Sequence, residues 1–191
     1  MKVSLKWLSE YVDVPSDVKA FCDRLDLTGT GVEAVEKTGD AFDGVVVGYV
    51  ETCEQHPDSD HMHVVTVDVG AGEPVQIVCG APNIAQGIKV PVATIGAVLP
   101  GDFKIEPRKT YGHISNGMCA SERELGLGDN HNGIILLRQY GFSEAEYEAL
   151  KPGQDAMHLL HLDQPLLEIN ITPDRGYTLS YRGVAREYHH S

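Results

Sequence analysis

Four side chains able to bind a soft metal fall within a short stretch: Cys53, His56, His61 and His63. The C-x-x-H and H-x-H spacings offer sulfur and imidazole ligands, and zinc takes three or four of these in a tetrahedron. Asp58 and Asp60 share the same stretch with Pro57 and Ser59, which is the make-up of an exposed polar loop. We expect the loop, and no metal. Nucleophilic chemistry has less support. There is no G-x-S-x-G and no G-x-x-x-x-G-K-[ST] in the chain, so neither a nucleophile elbow nor a phosphate-cradling loop is available. Gly126-Leu127-Gly128 follows a helical pattern where a dinucleotide site would need a strand. Glu122 and Glu124 belong to a solvated face, and no catalytic residue is expected.

What remains is chemistry suited to a phosphate backbone. Lys89, Lys104, Arg108 and Lys109 are the best candidates, since cations at the rim of a groove hold a backbone without reading sequence. The competing reading makes them scattered solubilising charges offset by Asp102 and Glu106. Phe103 and Tyr111 could stack on bases, although strand aromatics more often fill a core. The overall charge opposes a nucleic-acid partner. It is −13, and residues 40–150 carry 16 acidic against 6 basic side chains, a net of −10. Proteins that bind by releasing counterions normally present a basic face. Any contact with RNA must therefore use a small local patch or a partner's help.

The elements that would position these residues change character along the chain. The first 28 residues read as helical. Leu5, Leu8 and Val12 share one face, and Val18, Phe21, Cys22 and Leu25 form a second apolar stripe after Pro15. Val32 and Val35 begin an extended segment. From Gly44 the period shortens to that of β-strands at 45–50, 63–69, 75–79 and 90–95, separated by clusters rich in Pro, Gly and Asp. A further strand is expected at 133–137 and a short helix at 121–125. Several short strands with irregular loops predict a small barrel. Ser143 with Glu146 gives a capping box, 165–171 alternates as a strand, and a helix begins near Leu179 that looks unfinished at Ser191. Cys22, Cys53, Cys79 and Cys119 form no C-x-x-C pair, so reduced, buried thiols in a cytoplasmic protein are expected. No apolar run has the ~18 residues of a membrane span.

Several phrases together resemble one family. The stretch His56-Pro57-Asp58-Ser59-Asp60, followed by 63–69, is similar to the family's H-P-x-A-D-x-L-x-x-x-x-V-D. Gln76-Ile77-Val78-Cys79-Gly80-Ala81-Pro82-Asn83 matches its Q-I-V-C-G-A-x-N. Ser115-Asn116-Gly117-Met118 with Ser121-Glu122-Arg123-Glu124-Leu125-Gly126-Leu127 resembles its S-x-G-M-x-x-S-x-x-E-L-G-L. These belong to the tRNA-binding OB domain shared by methionyl-tRNA synthetases and free-standing tRNA-binding proteins. Two flanking phrases resemble the bacterial phenylalanyl-tRNA synthetase β subunit in particular: the opening 1–8, and Glu168-Ile169-Asn170-Ile171-Thr172-Pro173-Asp174-Arg175 with Gly183-Val184-Ala185-Arg186-Glu187. His61 and Met62 depart from the family's usual Lys and Leu, which removes a positive charge.

The resemblance implies an α+β, mostly β chain in which a five-stranded OB-type barrel, residues 40–150, is inserted into a small α/β domain made of 1–39 and 151–191. It also implies the N-terminal portion of a longer subunit, contributing scaffolding and an auxiliary tRNA contact to the ATP-dependent charging of tRNA with phenylalanine. The implied partners are tRNA, the α subunit and the rest of the β subunit in an (αβ)2 heterotetramer. ATP and Mg2+ would act in the full enzyme, with no cofactor and no metal in this segment. Together with Lys89, Lys104, Arg108 and Lys109, the expected tRNA-binding residues are Ser115, Asn116, Met118 and Ser121, whose hydroxyl and amide groups suit an RNA backbone or a splayed base. Ser121 followed by Glu124 is equally a helix-start pattern. Two other readings stand beside this one: a free-standing tRNA-binding module, and a metal-dependent enzyme built on the His-rich loop.

Overall fold

The computed structural model describes residues 1–37, 43–110 and 112–190. The chain divides into two units, Met1–Thr38 with Leu162–Ser191, and Gly39–His161. Residues 151–161, expected to belong to the first unit, belong to the second. The reason is backbone pairing: the Val47 N–H donates to Gln154 O (2.8 Å) and the Gly153 N–H to Val47 O (2.9 Å).

The smaller unit is a three-stranded antiparallel sheet of β1 (Lys2–Ser4), β11 (Pro165–Ile169) and β2 (Val32–Lys37), with β11 in the centre. The opening is thus not wholly helical. Residues 2–4 are drawn into pairing with β11, and α1 (Leu5–Leu8) is a single turn capped by the Ser4 hydroxyl. Helix α2 (Val18–Leu27) starts at Asp17, whose carboxylate accepts from the Ala20 N–H at 3.1 Å. Helix α5 (Tyr181–His190) completes the cover. Val3, Leu8, Phe21, Leu25, Leu167 and Val184 are fully buried in this core. Its aromatic contacts tie α5 to the N-terminal segment: Phe21 stacks on Tyr188 (4.2 Å) and Trp7 lies against Tyr181 (4.1 Å).

The larger unit curls one antiparallel sheet into a barrel. Its strands are β3 (Asp43–Gln55), β4 (His63–Asp68), β5 (Val75–Cys79), β6 (Lys89–Leu99), β7 (Phe103–Lys104) and β10 (Gly117–Cys119). The order is β10-β6-β3-β4-β5, with β7 beside β6. The long strand β3 pairs with both β4 and β6, and β10 lies between β6 and β5. This is the OB arrangement. Closure between β5 and the segment before β10 comes from few bonds: Asn116 N–H to Gln76 O (2.8 Å), Val78 N–H to the Ser115 hydroxyl (3.0 Å), and the Gln76 amide to Ile114 O (2.8 Å).

Gly48 interrupts a valine run in β3 for a packing reason. A Cβ there would lie 2.5 Å from Val92 Cγ2 and 2.7 Å from Val67 Cγ1, so only glycine lets the two valines fill the barrel interior. Two expected elements differ. Residues 133–137 form no strand, because Ile134 uses its backbone on the Asn83 side chain (2.8 and 2.9 Å). Residues 121–125 make one turn that ends at Gly126 (φ +67°) without becoming a helix.

Candidate nucleic-acid interface

An OB barrel binds oligonucleotides between the loop after its first strand and the loop before its last. Here the first of these is 56–62. The second is 100–116, which carries the hairpin β8 (Arg108–Thr110) and β9 (His113–Ser115). The two loops meet through His56 and His113, whose rings contact edge to face at 4.8 Å. His56 is buried, and its Nδ1 accepts from the Asp58 N–H at 3.1 Å. It therefore pins the 56–62 loop from beneath. Of the other suggested zinc ligands, the Cys53 thiol faces Ile84 O, 3.9 Å away, His61 is exposed and His63 is half-buried. Among the described residues no three Cys, His, Asp or Glu side chains converge as a metal site would need.

Beside this loop pair lies an open cleft of about 490 Å3. Met62, Val78 and Met118 give it an apolar floor, and Phe103, Lys104 and Arg108 form its rim. Phe103 is 54% exposed, a flat ring with no core to fill. Lys104 and Arg108 are exposed, and Glu106 is the carboxylate among the lining residues. The cleft thus offers two cations, an aromatic ring and two polarisable thioethers. That set suits a phosphate backbone with an unpaired base.

The expected contact residues separate into two groups. Lys104, Arg108, Ser115 and Met118 come together at the cleft. Lys109 is exposed one position along β8 from Arg108 and so faces the other side of the hairpin. Asn116 is half-buried beside the seam, where its backbone N–H is used. Ser115 is buried, and its hydroxyl donates to Gly117 O (3.0 Å) while accepting from Val78. Ser121 is also buried: its N–H donates to the Glu124 carboxylate (2.6 Å) and its hydroxyl accepts from the Glu124 N–H (3.4 Å). Tyr111 lies outside the described residues.

Lys89 is engaged elsewhere. Its ammonium donates to Tyr147 O (2.8 Å) and Glu148 O (3.0 Å), at the C-terminal end of α3 (Glu144–Ala149), and lies 4.9 Å over the Tyr147 ring. Replacing Lys89 with methionine is expected to cost about 1–2 kcal/mol by leaving those carbonyls without a cationic donor. Affinity for RNA should stay unchanged, as paired thermal melts and binding titrations would show.

Sequence reasoning missed Met62, Val78 and His113 as members of the site. Val78 alternates correctly on its strand, but only the curl of the sheet brings it together with Met62 and His113 from the two loops. Cys79 and Cys119 share the barrel core. Cys119's thiol is pushed well above the usual range by its hydrogen bond with Cys79 and by burial, so it stays protonated at neutral pH.

The family described as "Putative tRNA binding domain" matches residues 45–141. The phenylalanine–tRNA ligase beta subunit of Bifidobacterium longum is 62% identical over 99% of this chain and 23% of its own length. That of Idiomarina loihiensis is 48% identical over 98% of this chain and 22% of its own length. The chain thus spans under a quarter of the curated relatives it matches. The crystal structure of a MetRS-related protein from Pyrococcus horikoshii aligns with 58% of this chain and 85% of its own at 19% identity and a TM-score of 0.39. No helix among the described residues is long and apolar enough to cross a membrane.

Proposed function

Because the chain belongs to the tRNA-binding domain family through residues 45–141, we propose that its barrel makes an auxiliary contact with tRNA within a phenylalanine–tRNA ligase β subunit. The observation that carries this reading is the cleft where Lys104 and Arg108 stand over Met62 and Met118. Lys104, Arg108 and, from the outer side of the hairpin, Lys109 hold phosphates. Phe103 and Met118 take a base. Ser115, Asn116 and Ser121 act mainly by fixing the seam and the turn behind the cleft. Lys89 positions α3 and leaves the RNA to the others.

In the whole enzyme the reading extends to ATP-dependent charging of tRNA with phenylalanine, in the cytoplasm, by an assembly of α and β subunits in an (αβ)2 heterotetramer. ATP and Mg2+ act in the full enzyme, as the family resemblance implies. The smaller unit, with its chain split around the barrel, serves as scaffold.

The test is the affinity of this chain for an unmodified tRNA transcript, titrated across salt. Association should weaken steeply as salt rises, and the double variant Lys104→Ala/Arg108→Ala should flatten the slope of log K against log salt by roughly 1.4–1.8, or 0.7–0.9 per phosphate contact. A parent chain with no affinity at low salt would reduce the barrel to a structural part.

A further inference from the structure

The smaller unit carries a second cationic surface, on α5. Arg182, Arg186 and His189 are exposed and, spaced four and three residues apart, share one helical face. The two arginines leave the helix about one turn apart, their Cα atoms separated by about 6 Å along the axis. The helix's lone carboxylate, Glu187, is taken up by Arg175, from which it accepts at 3.0 Å, and by the Tyr177 hydroxyl (2.5 Å). Arg186 lies 4.8 Å over the Tyr177 ring, a stacking that orients the guanidinium and leaves its N–H edge open to a bidentate acceptor. Arg182 has no acidic partner among the described residues.

Between this face and the segment after α1 runs a cleft of about 450 Å3, lined by Tyr11, Val12, Arg182, Ala185, Arg186 and His189, with no acid among them. Tyr11 is 44% exposed. An acid-free cleft is out of keeping with a chain whose net charge is −13. Glu10 and Asp13 line the adjoining hollow that leads to Arg24, so the favourable field is confined to the α5 side.

We infer that the α5 face is a second RNA contact, in which Arg182 and Arg186 each hold a backbone phosphate and Tyr11 stacks on an unpaired base. Two arginines a turn apart suit phosphate oxygens, and a flat exposed ring in the same cleft suits a base; an acidic peptide has no use for the ring. The inference rests on the reading that the partner is RNA, but not on the barrel cleft.

The experiment is a salt titration of tRNA transcript binding by the whole chain, comparing the parent with Arg182→Ala/Arg186→Ala, Tyr11→Ala and Lys104→Ala/Arg108→Ala. Circular dichroism melts confirm that each folds. The α5 pair should flatten the salt slope by roughly 1.4–1.8, while Tyr11→Ala weakens binding several-fold with the slope unchanged. An α5 pair that melts and binds like the parent overturns the inference, and if the barrel pair alone flattens the slope the proposed barrel contact survives. A flattened slope in the α5 pair alone keeps the inference and removes the barrel contact. Loss of all binding in the parent removes both. A poly-glutamate peptide held by the parent and lost in the α5 pair, with RNA binding intact, would assign the face to a protein and overturn it too.

Discussion

Replacing Gly183 with alanine is expected to destabilise the smaller unit by about 2–4 kcal/mol, read as a lower denaturant midpoint by tryptophan fluorescence. Gly183 sits in the first turn of α5 against the 3₁₀ segment Pro173–Thr178. A Cβ there would meet the backbone of that segment, 2.7 Å from the Tyr177 carbonyl carbon and 2.9 Å from Thr178 Cα. Backbone cannot rotate away as a side-chain end can, so the helix must shift. Shifting it pulls Val184 and Tyr188 out of the core they share with Phe21. The reporter is well placed, because Trp7 is the chain's one tryptophan and lies against Tyr181 of the same helix. Arg182→Ala, on the exposed side one residue earlier, should move the midpoint by no more than about 0.5 kcal/mol. Equal midpoints for Gly183→Ala and the parent would show that α5 does not seat as described.

The second large effect belongs to the barrel. Asn83→Ala should cost about 2–3 kcal/mol, because one side chain satisfies both backbone groups of Ile134 and removal leaves a donor and an acceptor unpaired beside the core. Ile134 itself is buried with the barrel cluster, so the loss should lower the barrel's thermal midpoint and speed amide exchange at Ile134. Binding of tRNA measured well below the melt should not change. An Asn83→Ala chain with parental stability but weakened binding would move this residue from the frame to the contact surface.

Much of the phrases that carried the family resemblance is framework: Gln76 and Ser115 close the barrel, Asn83 holds Ile134, and Ser121 with Glu124 shapes a turn. Their pattern was legible because closing a barrel with side chains demands particular donors at particular places. Period-2 alternation likewise placed β3 to β6, and the Ser143–Glu146 capping box appears in full, with the Glu146 carboxyl held below its usual range by its bonds to Ser143. Four things were not legible. The pairing of residues 2–4 with β11 joins positions more than 160 residues apart, which no local window senses. The final barrel strand is three residues long, too short to show a period. Lys89 looked like the other cations until α3 folded over it. The cleft itself depends on two loops meeting through His56 and His113, a tertiary event without a local signature.

The central position of β11 has a consequence for biosynthesis. Strands β1 and β2 leave the ribosome early, but the strand that must lie between them begins at Pro165. At ordinary translation rates of 5–20 residues per second, the stretch from Lys37 to Pro165 takes roughly 6–25 s to emerge. The barrel closes entirely within that stretch, so it can complete its fold on the nascent chain. The two waiting strands meanwhile present unpaired edges, and the charged side chains Glu33, Glu36 and Lys37 on β2 guard that edge from other chains until its partner arrives.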